Sequence, residues 1–314
     1  IPRPFDPRLI VMIAPAVAKA AMDSGVATRP IADFAAYREK LTQFVYHSGL
    51  LMKPIFAAAK KDPKRIVYAE GEDERVLRAV QIVLDEGLAH PIVIGRPAVL
   101  ERQVEKLGLR IRPGKDFQVV NPESDPRYRA YWTEYYALTV RKGVSQQYAK
   151  IEMRRRLTLI GAMLIHMGET DGMLCGTFGT HALHRGYIEQ VIGLRRGTKV
   201  CAAMNAVMLP SRTVFIADTY VNVDPTAGEI AEITLLAAEE IRRFGIAPKV
   251  ALLSHSSFGS SEHPQAKKMQ AALALVNAMA PDLEIEGEMH GDAALDEEVR
   301  MRAFPGSRLK GEAN

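Results

Sequence analysis

The sequence is poor in cysteine and has no long apolar run. Cys175 and Cys201 are the only two cysteines among 314 residues, and they are too few and too far apart for a disulfide framework or a cysteine-based metal site. Both lie in apolar, strand-like runs, so we expect reduced core residues. No apolar stretch reaches the ~18 residues that cross a membrane, and no cleavable signal precedes the first predicted strand. We therefore expect a cytoplasmic protein without a membrane partner.

An excess of charge of one sign is also missing. The 41 lysines and arginines are interleaved with 37 aspartates and glutamates, which leaves a net charge of +4. Aromatic residues make up only 7%, and they are not interleaved with basic residues as a nucleic-acid stacking surface requires. Three consecutive arginines, 154–156, lie within a helical pattern, which we interpret as a solvated helix face. We therefore expect no nucleic-acid partner.

What the sequence does contain is an alternation of short apolar strands with helices. Over 32–60 the apolar spacing predicts linking helices. Two long helices are predicted further along, at about 127–141 and 145–167. Strand, helix and strand in this order predict a parallel sheet with right-handed crossovers and helices on both faces. The strands predicted for this sheet are 65–69, 91–95, 117–120 and 172–176.

A second alternation begins after Gly197, where we place a domain boundary. Its predicted elements are a loop and N-cap at 222–226, a strong helix that ends near Gly245, and strands at 200–204, 213–217 and 249–253. The chain is long enough for about two domains. The sequence thus divides into a helical N-terminal segment (1–60), a first α/β domain (61–196) and a second α/β domain (197–314).

The loop after the strand at 249–253 is the clearest candidate ligand site. Small hydroxyl residues and a glycine at a helix N-terminus can present backbone N–H groups to an anion such as phosphate. The candidates are Ser254, Ser256, Ser257, Gly259 and Ser260. The loop does not match a Walker loop, and no G-x-G-x-x-G follows the first strand. A capped turn without a ligand is the alternative.

Other polar residues favour structural roles over metal binding. Asp218, Asn222 and Asp224 offer oxygen atoms to a cation, but they lack the glycine and terminal glutamate of a calcium loop, so we prefer loop capping. The histidines 181, 184 and 290 show no zinc spacing with cysteine, and no metal site is predicted. Segment 287–294 combines acidic residues with an imidazole, which leaves acid–base chemistry and a polar domain interface both open.

Four motifs make residues 61–314 similar to the phosphotransacetylase family, the enzymes that move acetyl between coenzyme A and phosphate. They are residues 66–75, 171–176, 252–261 and 287–294. The resemblance implies two consecutive three-layer α/β domains with mostly parallel sheets, of the isocitrate/isopropylmalate dehydrogenase-like fold. It also implies that the second domain is C-terminally incomplete, because the family continues beyond the position of Asn314 into a strand, a helix and its catalytic group. An incomplete sheet would leave an exposed edge.

Residues 1–31 carry a second resemblance. A proline-rich segment, 1–7, precedes a predicted helix over about 8–24 that stops at Gly25, and this stretch resembles the C-terminal edge of the catalytic region of bacterial malic enzymes. Together with residues 215–222 and 242–246, it makes the chain similar to the hybrid NADP-dependent malic enzymes of bacteria. In those proteins a phosphotransacetylase-like domain follows the decarboxylating domain.

This second resemblance implies a parent enzyme that converts malate to pyruvate and CO2, with NADP and Mg²⁺ or Mn²⁺ bound upstream of Ile1. The chain itself then holds no cofactor. Its expected partners are acetyl-CoA as an allosteric effector, the upstream malic enzyme domain of the same polypeptide, and further copies in a homo-oligomer.

The family resemblance also allows a test of acetyl transfer. Arginine suits a site for phosphate and acetyl phosphate because its charged fork is planar. Two family arginine positions fall on Thr139 and Gly186, with Arg141 and Arg185 displaced by two and one residues. Such shifts rotate a helical side chain by ~100–200°, and one lost transition-state donor costs ~10²–10³ in rate.

We therefore expect no catalytic residue in this chain, and assign none to Ser307 or Arg308. Expected acetyl-CoA contacts are the loop at 254–261 and Arg185, with Arg141 a weaker candidate. Two alternatives stay open: an active phosphate acetyltransferase that uses the shifted arginines, and a structural oligomerisation module. Formation of acetyl phosphate distinguishes the active transferase from the other two interpretations. Binding of acetyl-CoA distinguishes the regulatory domain from the structural oligomerisation module.

Overall fold

The N-terminal part of the chain is helical, as predicted. The computed structural model describes residues 8–45, 49–209 and 212–314. Its first elements are α1 (Arg8–Asp23), α2 (Phe34–Val45) and α3 (Gly49–Lys61). The predicted extended segment at 1–7 lies outside the described residues. Within the described ranges, no helix combines the length and the hydropathy needed to cross a membrane.

Helix α1 ends at the predicted glycine. Gly25 has a φ of 74°, in the left-handed region that favours glycine. Its amide donates to the Met22 carbonyl at 3.1 Å, and the Val26 amide donates to the Ala21 carbonyl at 3.1 Å. These two bonds satisfy carbonyl groups that the last helical turn leaves without partners.

The described residues form two compact units. One comprises residues 56–196, and the other comprises residues 197–314 with the described parts of 1–55. The domain bounds given from the sequence stay predictions.

The unit of residues 56–196 is built on one parallel sheet. Its strands lie in the order β3-β2-β1-β4, and all three pairings are parallel. A 3₁₀ turn, Val140–Lys142, follows α6. In chain order the elements are β1 (Lys64–Tyr68), α4 (Glu74–Glu86), β2 (Ala89–Ile94), α5 (Pro97–Leu107), β3 (Gln118–Val120), α6 (Tyr128–Thr139), α7 (Gln146–Arg155), α8 (Leu157–His166), β4 (Gly172–Leu174) and α9 (His181–Val191).

Both faces of this sheet are buried. Val67 of β1 belongs to one core cluster, together with Met163 of α8. The next residue, Tyr68, belongs to a second cluster, together with Leu77 of α4 and Leu100 of α5. Successive strand residues point to opposite faces, so helices must cover both. This confirms the predicted parallel sheet between two helical layers.

The helix predicted at 145–167 is broken. Arg156 is extended (φ −111°, ψ 97°) and separates α7 from α8. Burial explains the break. Residues 158–164 of α8 are all buried, whereas α7 buries only Ala149, Glu152 and Met153. One continuous helix cannot keep the exposed polar face of α7 and also be buried on every side over 158–164, so the chain turns at Arg156.

The unit with residues 197–314 contains two small sheets. Strands β5 and β6 form one, and β7 and β8 form a parallel pair that packs with α10 and α11 through Ala238, Ala272, Val276 and Ile285. The elements are β5 (Met204–Met208), β6 (Thr213–Ala217), α10 (Ala227–Arg243), β7 (Lys249–Leu253), α11 (Pro264–Met279), β8 (Glu284–Met289), α12 (Gly291–Leu295) and α13 (Glu297–Ala303).

The predicted strand at 200–204 is wrong. The strand begins only at Met204, and β5 pairs antiparallel with β6, with Met204 opposite Ala217. Side chains hold the preceding backbone instead of a sheet. The Ala203 amide donates to the Asp218 carboxylate at 2.8 Å, and the Asn222 side-chain amide donates to the Cys201 carbonyl at 2.9 Å. Cys201 therefore lies outside a strand.

Helix α10 begins at its predicted cap. Thr226 accepts a hydrogen bond from the Glu229 amide, and the Glu229 carboxylate accepts one from the Thr226 amide at 2.7 Å. This capping box satisfies two amides of the first turn. The helix ends before Gly245, whose φ is 76°. The predicted loop, cap and helix end of this segment are confirmed.

Candidate functional site

The loop predicted to bind an anion follows β7, and we call residues 254–261 the serine loop. Strands β7 and β8 are parallel, so the serine loop and the turn after β8 lie at the same edge of the sheet. The imidazole of His263 caps α11 by accepting a hydrogen bond from the Gln265 amide at 3.3 Å. The predicted order of strand, small-residue loop and helix is confirmed.

A carboxylate of the chain itself lies inside the serine loop. Oε1 of Glu288, a residue with 0% exposure, accepts hydrogen bonds from the Ser256 hydroxyl at 3.1 Å and the Gly259 amide at 3.0 Å. The Gln270 side chain adds a third at 3.3 Å. The Phe258 amide donates to the Glu288 carbonyl at 2.7 Å. Two of the donors assigned to a phosphate therefore bind Glu288.

The other hydroxyls of the serine loop bond mostly within the same region. Ser257 Oγ accepts from the His290 amide at 3.3 Å, and Ser260 Oγ accepts from the Ser257 amide at 3.2 Å. Ser254 Oγ lies 3.4 Å from Ser256 Oγ. The loop is thus a hydrogen-bonded turn built around a carboxylate, in which Ser260 is exposed and Ser254 is half-buried. Their ligand role stays a prediction.

His290, in the late motif, binds the serine loop. Its Nε2 lies 2.9 Å from the His255 carbonyl oxygen, and because a carbonyl only accepts, Nε2 carries a proton. The neighbouring Glu286 is buried and accepts from the Arg308 amide at 2.8 Å. The Arg308 guanidinium donates to Asn277 and Pro281. These contacts give Arg308 a structural role.

The predicted arginine positions lie in the unit of residues 56–196. Thr139, at the end of α6, has 0% exposure and donates to the Tyr135 carbonyl at 2.6 Å. Arg141 is exposed on the 3₁₀ turn. Arg185 of α9 pairs with Glu189 of the same helix at 3.2 Å. At Gly186, an added Cβ would meet no atom within 4 Å.

Asp218 and Asn222 cap a loop, as predicted. Asp218 accepts from the Asn222 amide at 2.7 Å and from Ala203 and Val221. Burial opposes the charge of Asp218, but these amide donors outweigh it and hold its pKa below the usual value. Asp224 instead pairs with Lys268. Among the described residues, no group of His, Cys, Asp and Glu could hold a metal ion.

The predicted polar role of His184 is also confirmed. Its Nε2 lies 2.7 Å from the Phe178 carbonyl oxygen, and its Nδ1 lies 2.7 Å from the Thr158 hydroxyl. Because the carbonyl only accepts, Nε2–H donates to it, and in the neutral ring Nδ1 accepts from Thr158. Nearby, burial raises the pKa of the Cys175 thiol, and the charge of Glu70 adds to this effect.

Sequence reasoning missed a cavity of about 630 Å³ at the carboxyl ends of the strands β1–β4. We call it the strand-end cavity. The arginines at 154–156, interpreted above as a solvated helix face, belong to its wall because the chain turns at Arg156. The parallel strand order alone could have indicated the place, since ligands of open α/β sheets bind at this edge. Its wall includes Glu70, Arg96, Arg154, Arg155, Phe178 and His184.

Residues 50–314 match the model of the Phosphate acetyl/butaryl transferase family. The chain is 59% identical over its full length to an NADP-dependent malic enzyme of Salmonella typhimurium and 58% identical to one of Escherichia coli, and it covers 41% of each. It is 32% identical to a phosphate acetyltransferase of Clostridium acetobutylicum, with 84% of this chain and 80% of that protein covered.

Among solved structures, a phosphotransacetylase from Streptococcus pyogenes is similar, with a TM-score of 0.76 and 32% identity. The similarity covers 84% of this chain and 80% of that one. This likeness confirms the predicted α/β fold. The chain thus spans about two fifths of the length of the malic enzymes that it matches, and most of the length of the transferase from Clostridium.

Proposed function

The chain belongs to the Phosphate acetyl/butaryl transferase family, and from this premise we propose that it is the acetyl-CoA-binding, regulatory part of an NADP-dependent malic enzyme. The parent enzyme converts malate and NADP to pyruvate, CO2 and NADPH with Mg²⁺ or Mn²⁺. The groups that hold NADP, metal and malate belong to an upstream domain of the same polypeptide. This chain contributes the effector site.

The link to malic enzymes is supported by the extent of the similarity. Identity to the Salmonella and Escherichia proteins is 59% and 58% and covers all of this chain. The Clostridium transferase is 32% identical and covers 84%. The family model begins only at residue 50, so the similarity to malic enzymes includes α1 and α2, which precede it.

The burial of Thr139 is the observation that favours acetyl-CoA binding over acetyl transfer. Acetyl transfer to phosphate requires cations that hold the phosphoryl oxygens. At a position where the family resemblance places an arginine, this chain has a fully buried threonine whose hydroxyl is bonded to Tyr135 of its own helix. Thr139 can therefore offer no positive charge to a substrate.

Two displaced arginines can serve an effector instead. Arg185 has its guanidinium on the helix surface, paired with Glu189. Such a surface pair contributes only ~0–1 kcal/mol, so a phosphate can replace the glutamate. Arg141 is exposed on the turn after α6. Binding of acetyl-CoA requires this charge recognition, but it does not require the in-line geometry of a transfer reaction.

Regulation follows if acetyl-CoA binds one state of the homo-oligomer more tightly than another. The coupling free energy between the effector site and the malate site cannot exceed the difference between the binding free energies of acetyl-CoA for the two states. In this proposal the helices α1–α3 connect the upstream malic enzyme domain to the acetyl-CoA-binding region along the chain.

Calorimetric titration of acetyl-CoA into the full-length protein tests the binding step. We expect saturable binding, weakened about tenfold by Arg185→Ala through the loss of one charged contact. Arg129→Ala, which alters an exposed arginine on α6, is the control and should leave the affinity unchanged. Absence of binding at millimolar acetyl-CoA would overturn the proposal and favour a structural oligomerisation module.

A further inference from the structure

The second half of α11 exposes only apolar side chains. Two of them are large, because Leu275 and Met279 are 41% and 61% exposed. No lysine, arginine, aspartate or glutamate occurs from residue 269 to residue 281. The exposed positions recur at intervals of three and four residues and therefore lie along one side of the helix. After Lys267 they are Ala271, Ala274, Leu275, Ala278 and Met279.

The other side of α11 already lies in the core of its unit. Ala272 and Val276 have 0% exposure and belong to the same core cluster as Ile285 of β8. A helix that covers a sheet normally carries charged residues on its outer side, and a helix that is apolar on all sides is typical of one that is buried on all sides. Helix α5 follows the normal pattern, since its exposed positions after Leu100 are Glu101, Arg102, Glu105 and Lys106. The outer face of α11 is therefore an interaction surface.

Opposite charges lie at the two ends of this face. Lys267 precedes it on α11, Asp282 follows the end of the helix, and both residues are exposed. Lys267 lies seven residues before Ala274, and Asp282 lies seven residues after Leu275. A second copy of α11, related by a two-fold axis between Ala274 and Leu275, runs antiparallel and places its own Asp282 beside Lys267. The same rotation forms the pair a second time, so the face is complementary to itself.

The sizes of the side chains fit the same arrangement. The rotation places Leu275 of each copy against Ala274 of the other, so a large side chain meets a small one on both sides of the axis. It also places Ala271 against Ala278 of the other copy. Contacts between small side chains let two helices approach to the short end of the usual 8–10 Å between axes.

Both terminal charges are available for an ion pair between copies. The Lys267 ammonium pairs with Glu262, but the two side chains are 55% and 88% exposed, and an exposed pair of this kind is weak and readily exchanged. Among the residues that the structure describes, Asp282 makes no hydrogen bond or ion pair through its side chain. An ion pair with a second copy therefore displaces only the weak pair of Lys267 with Glu262.

We propose that two copies of this chain associate through α11, packed antiparallel about a two-fold axis between Ala274 and Leu275, with Lys267 of each copy paired to Asp282 of the other. The inference goes beyond the proposed effector role, because it rests on α11 and on no contact with acetyl-CoA. It assigns a specific contact to the homo-oligomer that the proposed regulation requires.

Cross-linking of the full-length protein with a carbodiimide tests the contact directly. This reagent joins a carboxylate to an amine as an amide without a spacer, so it links only groups in contact. Within one chain Lys267 and Asp282 are 15 residues apart, which corresponds to ~22 Å along a helix. A peptide in which they are linked therefore comes from two copies, and we expect to find it by mass spectrometry. A link from Lys267 to Glu262 without one to Asp282 contradicts the proposal.

Substitution at the axis provides a second test. Leu275→Arg brings two arginines together and should raise the dissociation constant of the contact about 100-fold or more, because like charges then face each other. Sedimentation velocity of the full-length protein over a dilution series measures this. Ile82→Arg on α4 alters an apolar residue with 48% exposure and is the matched control, which should leave the assembly unchanged. An assembly that Leu275→Arg also leaves unchanged overturns the proposal.

A charge exchange separates a contact between copies from an effect on folding. Lys267→Glu and Asp282→Lys each place like charges together and should weaken association, whereas the double variant again pairs opposite charges and should recover it. A double variant that associates no better than either single variant contradicts the proposed pairing. Thermal unfolding of each variant establishes that it folds, which is expected because the altered residues are exposed.

The outcomes also distinguish this inference from the effector role. If acetyl-CoA binds and Leu275→Arg leaves the assembly unchanged, the effector role stands and this inference fails. If association depends on Leu275 and acetyl-CoA does not bind, the inference stands and the effector role fails.

Discussion

The carboxylate of Glu288 accepts a hydrogen bond from the amide of Gly259 at 3.0 Å, across 29 residues of sequence. This bond joins the end of β8 to the serine loop that follows β7. The loop has the composition of an anion-binding turn, and the anion that it holds is a side chain of the same unit. An external phosphate at Ser256 and Gly259 would have to displace a buried carboxylate.

Removal of the Glu288 carboxylate should destabilise the protein. Glu288→Ala leaves the buried Ser256 hydroxyl and the Gly259 amide without an acceptor, at a cost of about 3 kcal/mol in unfolding free energy. Glu288→Gln keeps one acceptor oxygen and should cost about 1 kcal/mol. Urea unfolding measures both. Glu262→Ala, which alters an exposed residue paired with Lys267, is the control, and a Glu288→Ala variant as stable as this control would contradict the assignment.

The two positions that the family resemblance assigns to arginine should respond in opposite ways when arginine is introduced. Thr139→Arg buries a charge at a site with 0% exposure and should lower the unfolding free energy by about 3 kcal/mol or more. Gly186→Arg places a side chain in open space within a helix and should raise stability by about 0.5 kcal/mol. Thermal unfolding of both variants checks this. Equal stability of the two would show that position 139 is not a core position.

Acetyl transfer should be absent or nearly so. Loss of two transition-state donors at ~10²–10³ each predicts a rate at least ~10⁴ below that of an active transferase. The full-length protein, incubated with acetyl-CoA and phosphate, should form no acetyl phosphate above background. The phosphotransacetylase of Streptococcus pyogenes serves as the positive control. Turnover within tenfold of that control would establish the transferase alternative.

The ion pair between Arg65 of β1 and Asp171, the residue before β4, should make the stability of the protein depend on pH in acid. Hydrogen bonds from the Arg65 side chain and amide lower the pKa of Asp171 to about 2. Because the folded pKa lies below the ordinary unfolded value, this contribution is fully present above about pH 4 and is lost as the pH falls through about 2. Asp171→Asn should therefore be less stable than the parent protein at pH 5, and the difference should shrink towards pH 2. A difference that does not vary with pH would rule this interaction out as the cause.

Local sequence patterns predict the helices and strands whose ends depend on interactions between residues close in sequence. The apolar runs around Val67 and Ile94 predict strands because each is short and is followed by polar or glycine residues. Thr226 and Gly245 predict the ends of α10 because capping depends on residues within one turn. These elements are confirmed.

The remaining features depend on contacts distant in sequence. The break at Arg156 follows from the burial of α8, which a helical pattern does not contain. The loop that replaces the predicted strand at 200–204 depends on Asp218, which accepts a hydrogen bond from the Ala203 amide. In the same way, nothing in the serine loop indicates that Glu288 fills it, because that residue lies in another strand.

In the proposed function, acetyl-CoA bound by this chain regulates a malic enzyme. The most direct test of this regulation is malate-dependent formation of NADPH by the full-length protein, measured over a series of acetyl-CoA concentrations with NADP and Mg²⁺ or Mn²⁺ present. The rate should change saturably, with a midpoint equal to the dissociation constant from calorimetry, and Arg185→Ala should shift both values about tenfold. A rate that stays constant while acetyl-CoA saturates the protein would contradict the proposed function.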